Sequence, residues 1–219
     1  MNTRHLIGVS ALYFLVFGLA GCATAPYDYS ALKASRPKSI LVLPPVNDSN
    51  VVDASNSVFS TVTLPLAESG YYVYPVTLVA ETFRQNGLNN PAEIAMVSPT
   101  KLREIFGADT ALHIQIKQYG TTYYVISSAS VVTADARLVD LRTGIQLWSG
   151  TATASSAENQ NAAGGGLVGL LVQAVVNQII ESTTDASHKI AGITSARLLT
   201  AGAPKGLLYG PRSPKYDPQ

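Results

Sequence analysis

The first apolar run of the chain extends from Leu6 to Ala20, behind Arg4. A membrane-spanning helix needs about 20 apolar residues, so this run has the length of a signal-peptide core after a positive n-region. Ser39 to Pro45 is a short continuous apolar stretch with β-branched residues, stopped by two prolines. It predicts a buried strand. Asn47 to Asn50 is polar and predicts a loop. Asp53 to Ser69 predicts a helix with a kink or break at Pro65 and a stop at Gly70.

Tyr71 to Val76 reads as a second strand, with Pro75 marking its end, and Leu78 to Gln85 as a short helix ending near Gly87. Ser98 and Pro99 have the residue types of an N-cap and a first helical position. Lys101 to Phe106 continues that helix and Gly107 stops it. Ala111 to Gln118 alternates, with Leu112, Ile114 and Ile116 on one face and His113, Gln115 and Lys117 on the other. Thr122 to Val139 is β-rich, Asp140 to Gly144 is a turn, and Ile145 to Ala154 returns as a strand, which predicts a hairpin.

Ser155 to Gly166 is a loop of small and polar residues. Leu167 to Thr183 predicts a strongly apolar helix, and a further helical stretch reaches Leu199. Ala201 to Gln219 is rich in glycine and proline and predicts an irregular tail. The element order is β-α-β-α-α-β-β-β-α. A βαβ unit with right-handed crossover followed by an antiparallel meander gives one α/β sandwich with a mixed sheet.

Composition narrows the function classes. Fifteen Lys and Arg face fourteen Asp and Glu, and only 13% of the 219 residues are charged. That balance does not suit a protein built mainly to bind nucleic acid. Hydrophobic residues make up 47%, enough for a sizeable core. The single Cys excludes an intramolecular disulfide framework and a cysteine-cluster metal site.

That cysteine stands directly after Leu19-Ala20-Gly21. The sequence resembles the bacterial lipobox, with Leu19, Ala20 and Gly21 as the signal-peptidase recognition residues. The resemblance implies a mature chain starting at Cys22, carrying diacylglycerol and an N-acyl chain. Ala23 in place of Asp implies sorting to the outer membrane, facing the periplasm. Residues 1–21 are then the signal peptide, 22–37 a lipidated tether, 38–200 the α/β domain and 201–219 the tail.

Candidate chemistry is sparse. His113 could join His188 with Asp135 or Asp109 in a metal site, but no spacing fixes such a set. There is no Gly-x-Ser-x-Gly elbow and no His-Glu-x-x-His helix, and Gly164-Gly165-Gly166 is not followed by Lys-Ser/Thr. The expectation is a protein without catalytic residues, without a metal and without a cofactor beyond its own lipid. Gly164 to Ile180 leaves three readings open. It can be core, a subunit or partner interface through Leu167, Leu170, Leu171 and Val175, or a membrane contact using Gly165-x-x-x-Gly169.

Three stretches carry a resemblance. Ile40-Leu41-Val42-Leu43-Pro44-Pro45-Val46-Asn47-Asp48-Ser49 looks like the opening strand and loop of the TolB N-terminal and CsgG-like fold group. Leu102-Arg103-Glu104-Ile105-Phe106-Gly107-Ala108-Asp109, followed by Leu112 to Ile116, looks like its helix, turn and strand. Leu138 to Gly144 with Leu147-Trp148-Ser149 looks like its closing hairpin. Within that group the chain resembles a family of bacterial lipoproteins of unknown function that includes the genome-derived neisserial antigen lipoprotein. The resemblance implies a self-associating, outer-membrane-anchored protein working beside a CsgG-like partner in secretion or surface assembly. An LpoB-like activator of a peptidoglycan synthase is the alternative, and an enzyme acting on envelope glycans is the third choice.

Overall fold

The segment expected to be a tether is folded from Tyr27 onward. A computed structural model of the chain describes residues 27–123, 128–158 and 186–217. Helix α1 (Ser30–Ser35) buries Leu32 in the main core. The Tyr27 hydroxyl accepts from the Ser149 N–H at 2.8 Å and donates to the Ser149 carbonyl at 3.2 Å. The Tyr29 hydroxyl donates to the Gly206 carbonyl at 2.6 Å. Tether residues therefore belong to the domain, because their partners arrive from far along the chain rather than from neighbours.

Strand β1 (Ser39–Val42) forms as expected, and β2 (Val46–Asn47) follows the two prolines. The helix expected over Asp53 to Ser69 is two helices, α2 (Ala54–Thr61) and α3 (Thr63–Glu68). The break falls at Val62, upstream of Pro65. Proline lacks the N–H that would bond Thr61, and its ring crowds that carbonyl, so the interruption appears one turn earlier. Strand β3 (Tyr72–Val73) is shorter than expected, because Pro75 already serves as N-cap of α4 (Val76–Gln85).

A single turn, α5 (Pro91–Ile94), was not expected from the sequence, although the Asn90 side chain caps it by accepting from the Ala92 N–H. Helix α6 (Pro99–Phe106) has Ser98 as N-cap, and Gly107 closes it at φ 68°. A left-handed φ of this kind costs glycine least.

Strand β4 (Thr110–Tyr123) pairs antiparallel with β5 (Ser128–Asp140), which pairs antiparallel with β6 (Gln146–Ser155). Thr122 thus belongs to β4 and not to the following strand. The sheet order is β3-β1-β4-β5-β6, with β1 parallel to both β3 and β4. This is the expected mixed sheet, a βαβ unit joined to an antiparallel meander. The register shifts between Ile116 and Gln118, and buried residues change there from Leu112, Ile114 and Ile116 to Tyr119. One extra residue in a strand inverts the parity of its faces.

Helix α7 (Ala186–Leu199) completes the domain. The expected apolar helix Leu167–Thr183, with Leu167, Leu170, Leu171 and Val175, lies outside the described residues, as do Leu19, Ala20, Gly21 and Cys22.

The main core lies between one face of the sheet and α2, α3 and α7. It gathers Leu112, Ile114, Ile116, Leu138, Trp148, Val58, Leu66, Ile190 and Leu199. A smaller core on the other face packs Leu41, Leu43, Ala111 and Leu141 under Val79, Phe83, Ile94 and Leu102. The C-terminal tail has no helix or strand among its described residues, yet it is stapled down. The Trp148 indole N–H donates to the Lys205 carbonyl at 3.0 Å, and the Tyr71 hydroxyl donates to Leu208 at 2.8 Å. The Gly210 N–H donates to the Ser69 carbonyl at 2.8 Å.

Candidate functional site

The smaller core covers only part of its face. Beyond Ala111 and Leu141 no helix lies over β4, β5 and β6 among the described residues, and polar side chains occupy that face. The strand register aligns His113 with Arg137 and Ser149, and Gln115 with Asp135 and Thr151. Period-two alternation explains the pattern, since their neighbours Leu112, Ile114, Ala136 and Trp148 fill the main core. An open cleft of about 760 Å³ runs along this face. Its floor includes His113, Gln115, Asp135, Arg137 and Thr151, and its lip is apolar, built from Leu43, Pro44, Val46 and Met96. Met96 is 77% exposed.

The electrostatics of the floor follow from a few contacts. Arg137 Nη2 lies 3.3 Å from His113 Nδ1. Guanidinium has no acceptor, so Nδ1 receives the hydrogen bond and the imidazole is neutral, with its proton on Nε2. Burial first, and the nearby Arg137 charge second, together lower the His113 pKa to about 4. Asp135 accepts from the Thr151 hydroxyl at 2.6 Å. Asp48 accepts from Gln115 at 2.8 Å and from Lys117 at 3.0 Å. Among the described residues Arg137 makes no ion pair.

A measurable consequence is the titration of His113. A histidine whose folded pKa lies below the unfolded value near 6.5 binds fewer protons in the folded state. Its contribution to stability is therefore complete above about pH 6.5 and is lost as pH falls toward about 4. The imidazole resonances of His113 should titrate near pH 4 by NMR, and Arg137→Met should move that midpoint upward. A midpoint at the ordinary histidine value would refute the described geometry.

The imagined metal set does not come together. His188 is elsewhere, with its Nδ1 2.8 Å from Ser57 Oγ. Asp109 accepts from the backbone N–H groups of Lys38 at 2.9 Å and Ser39 at 3.2 Å, tying α6's exit to β1. The Arg137 cation beside His113 disfavours a metal ion there. Among the described residues no three His, Cys, Asp or Glu side chains are grouped as metal ligands.

Two features were not read from the sequence. One is Arg137, whose place opposite His113 depends on the β4–β5 register. The other is the seam of Tyr119, Ser57 and His188, in which the Tyr119 hydroxyl donates to Ser57 Oγ at 2.7 Å. A Ser beside a His has the outline of a nucleophile and base. Here Ser57 is held as an acceptor by Tyr119, and the chain of contacts joins β4, α2 and α7. Thr61 and Ser195, 2.7 Å apart, extend the same α2–α7 seam. We assign the seam to packing.

Asp140 is another buried polar group with a structural task. Burial would raise its pKa, but hydrogen bonds from the Arg142 side chain, the Ser35 hydroxyl and the Arg142 N–H hold it well below the ordinary carboxylate range. These contacts clamp the β5–β6 turn to the end of α1.

Comparison with known proteins agrees with this fold. A family model described as "Putative lipoprotein GNA1162-like" matches residues 27–212. The "Putative lipoprotein NMB1124/NMB1162" of Neisseria meningitidis serogroup B (strain ATCC BAA-335 / MC58) is 44% identical over 217 residues, which is 98% of each chain. The crystal structure of lipoprotein GNA1162 from Neisseria meningitidis is 47% identical, with a TM-score of 0.53, covering 67% of this chain and 100% of that one. Both the extent of the family match and the identity to the neisserial relative show that this chain belongs to the GNA1162-like family of putative lipoproteins.

Proposed function

We propose that the chain is a non-enzymatic, outer-membrane-anchored periplasmic component of a secretion or surface-assembly system. It acts through protein–protein contacts, with a periplasmic or outer-membrane protein as partner. Membership in a lipoprotein family and the lipobox at Cys22 support the anchor. The observation that carries the contact role is the face of β4, β5 and β6 that no helix among the described residues covers, polar at its centre and apolar at its lip. Met and Arg are enriched in protein interfaces, and this face presents an exposed Met96 beside the exposed Arg137. Arg137, a cation without an ion pair among the described residues, supplies a point for a partner carboxylate.

Charge reversal at that point tests the reading. In mild detergent, the native protein should co-purify with a second envelope protein, and Arg137→Glu should reduce its recovery at least fivefold without lowering the melting temperature. Undiminished recovery would place the contact elsewhere. Loss of folding is separated by the melting measurement, since Arg137 is exposed.

The synthase-activator alternative requires a long reach from the outer membrane. Only residues 23–26 separate Cys22 from the docked Tyr27. At roughly 3.5 Å per residue, that leash places the domain close to its anchor. The short leash therefore favours an assembly role beside the membrane.

A further inference from the structure

The six cations Lys33, Arg36, Lys38, Lys205, Arg212 and Lys215 are all exposed, and they come from just two segments, residues 27–38 and 201–217. Those segments carry only two carboxylates, Asp28 and Asp217. Residues 39–200 have the opposite balance, with twelve carboxylates and eight cations. The fold puts the two basic segments side by side. Tyr29 donates to the Gly206 carbonyl, and Lys33 and Arg36 share a shallow groove with Leu208, Tyr209 and Tyr216. Tyrosines lie among the cations, with Lys215 over the Tyr209 ring at 5.4 Å and Arg212 over the Tyr72 ring at 5.1 Å. Basic side chains interleaved with tyrosine suit the headgroup region of a membrane, where an amphipathic ring and a cation both find partners.

The leash aims this strip. Tyr27 is fixed to the backbone of Ser149, beside α1, so Cys22 lies within a short reach of that point. Four intervening residues allow about 17 Å between the α-carbons of Cys22 and Tyr27. We propose that α1 and the C-terminal tail are the membrane-facing side of the domain, docked through these cations on anionic phospholipid headgroups of the leaflet that holds the anchor. The orientation rests on acylation of Cys22. It turns the strip toward lipid.

The test uses the acylated mature protein in lipid nanodiscs with a headgroup quencher. Acylation blocks Cys22, so a single dye can be placed by Ala34→Cys on α1 or by Val52→Cys. The second site is distant. Ser35 contacts Asp140 at one end of the β4–β5 pair, whereas Val51 packs over Gly120 near the other. Discs containing phosphatidylglycerol should quench the Ala34→Cys dye at least threefold more than the Val52→Cys dye. That difference should vanish in phosphatidylcholine discs, in 1 M salt, and on combined Lys33→Glu, Arg36→Glu, Lys205→Glu and Lys215→Glu substitution. Equal quenching at both sites, or a difference indifferent to lipid charge, overturns the proposal and would leave a protein partner for the strip. Intact mass separates the anchor from the strip. If Cys22 carries no acyl mass, the anchor reading has failed by itself. Cosedimentation of the same chain with phosphatidylglycerol vesicles then decides the strip, which salt-sensitive pelleting supports and absence of pelleting overturns.

Discussion

Trp148→Ala is expected to cost about 3–5 kcal/mol of stability, the range for removing a large buried aromatic side chain. Trp148 is 1% exposed and lies in the main core. Its ring covers Gly150 so closely that a β-carbon on Gly150 would lie 2.6 Å from Trp148 Cζ2. Its N–H holds the tail at Lys205. The substitution thus opens a cavity and frees the tail at once. A domain of this size should lose roughly 6–20 °C of melting temperature. Gly150→Val should do similar damage from the other side, by driving a side chain into the indole. A melting temperature within about 2 °C of wild type for either variant would contradict the packing described.

Cys22→Ser is expected to move nearly all of the protein from the membrane to the soluble fraction. Each buried methylene of an acyl chain contributes about 0.8 kcal/mol, and a lipoprotein with more than one chain loses all of it when the thiol is absent. No helix among the described residues is long and apolar enough to cross a membrane. The basic strip alone should hold the unacylated chain only weakly and in a salt-sensitive manner. Fractionation with and without 1 M salt measures both contributions. Persistence of the variant in membranes at high salt would show a second anchor, with Leu167 to Thr183 the segment to examine.

Where local chemistry decided the structure, the sequence was legible. The apolar run at β1, the Ser98-Pro99 start of α6, the Gly107 stop and the Asp140 to Gly144 turn all rest on residues within a few positions of one another. The misread parts depend on distant partners. Tyr27 and Tyr29 show no periodicity, and their hydrogen-bond partners lie 122 and 177 residues away. Nothing within residues 24–37 distinguishes a tether from a segment docked in this way. The tail was legible as irregular, but its attachment to Ser69, Tyr71 and Trp148 was not. The bulge at Lys117 likewise hides in sequence, because alternation ends there without a glycine or proline to mark it.

The candidate site was half legible. The alternation that exposes His113, Gln115 and Lys117 was visible in β4 alone. Its meaning needed β5 and β6 in register, which sets Arg137 beside His113 and Asp135 beside Thr151. In the sequence His113 is a polar strand residue with no spacing that marks a metal set, and the assembled face has a neutral imidazole next to a cation. Such a surface can bind a partner's carboxylates and backbone carbonyls, and among the described residues it groups no three His, Cys, Asp or Glu side chains.

The central claim is that the cleft face of β4, β5 and β6 meets another envelope protein. Chemical crosslinking of the native protein in mild detergent, read by mass spectrometry, tests it most directly. Lys117 lies on that face and is exposed. The account predicts reproducible crosslinks from Lys117 to a second envelope protein, lost on Arg137→Glu. Crosslinks from Lys117 confined to its own polypeptide would contradict the account and return the cleft to the search for a small ligand or an enzymatic role.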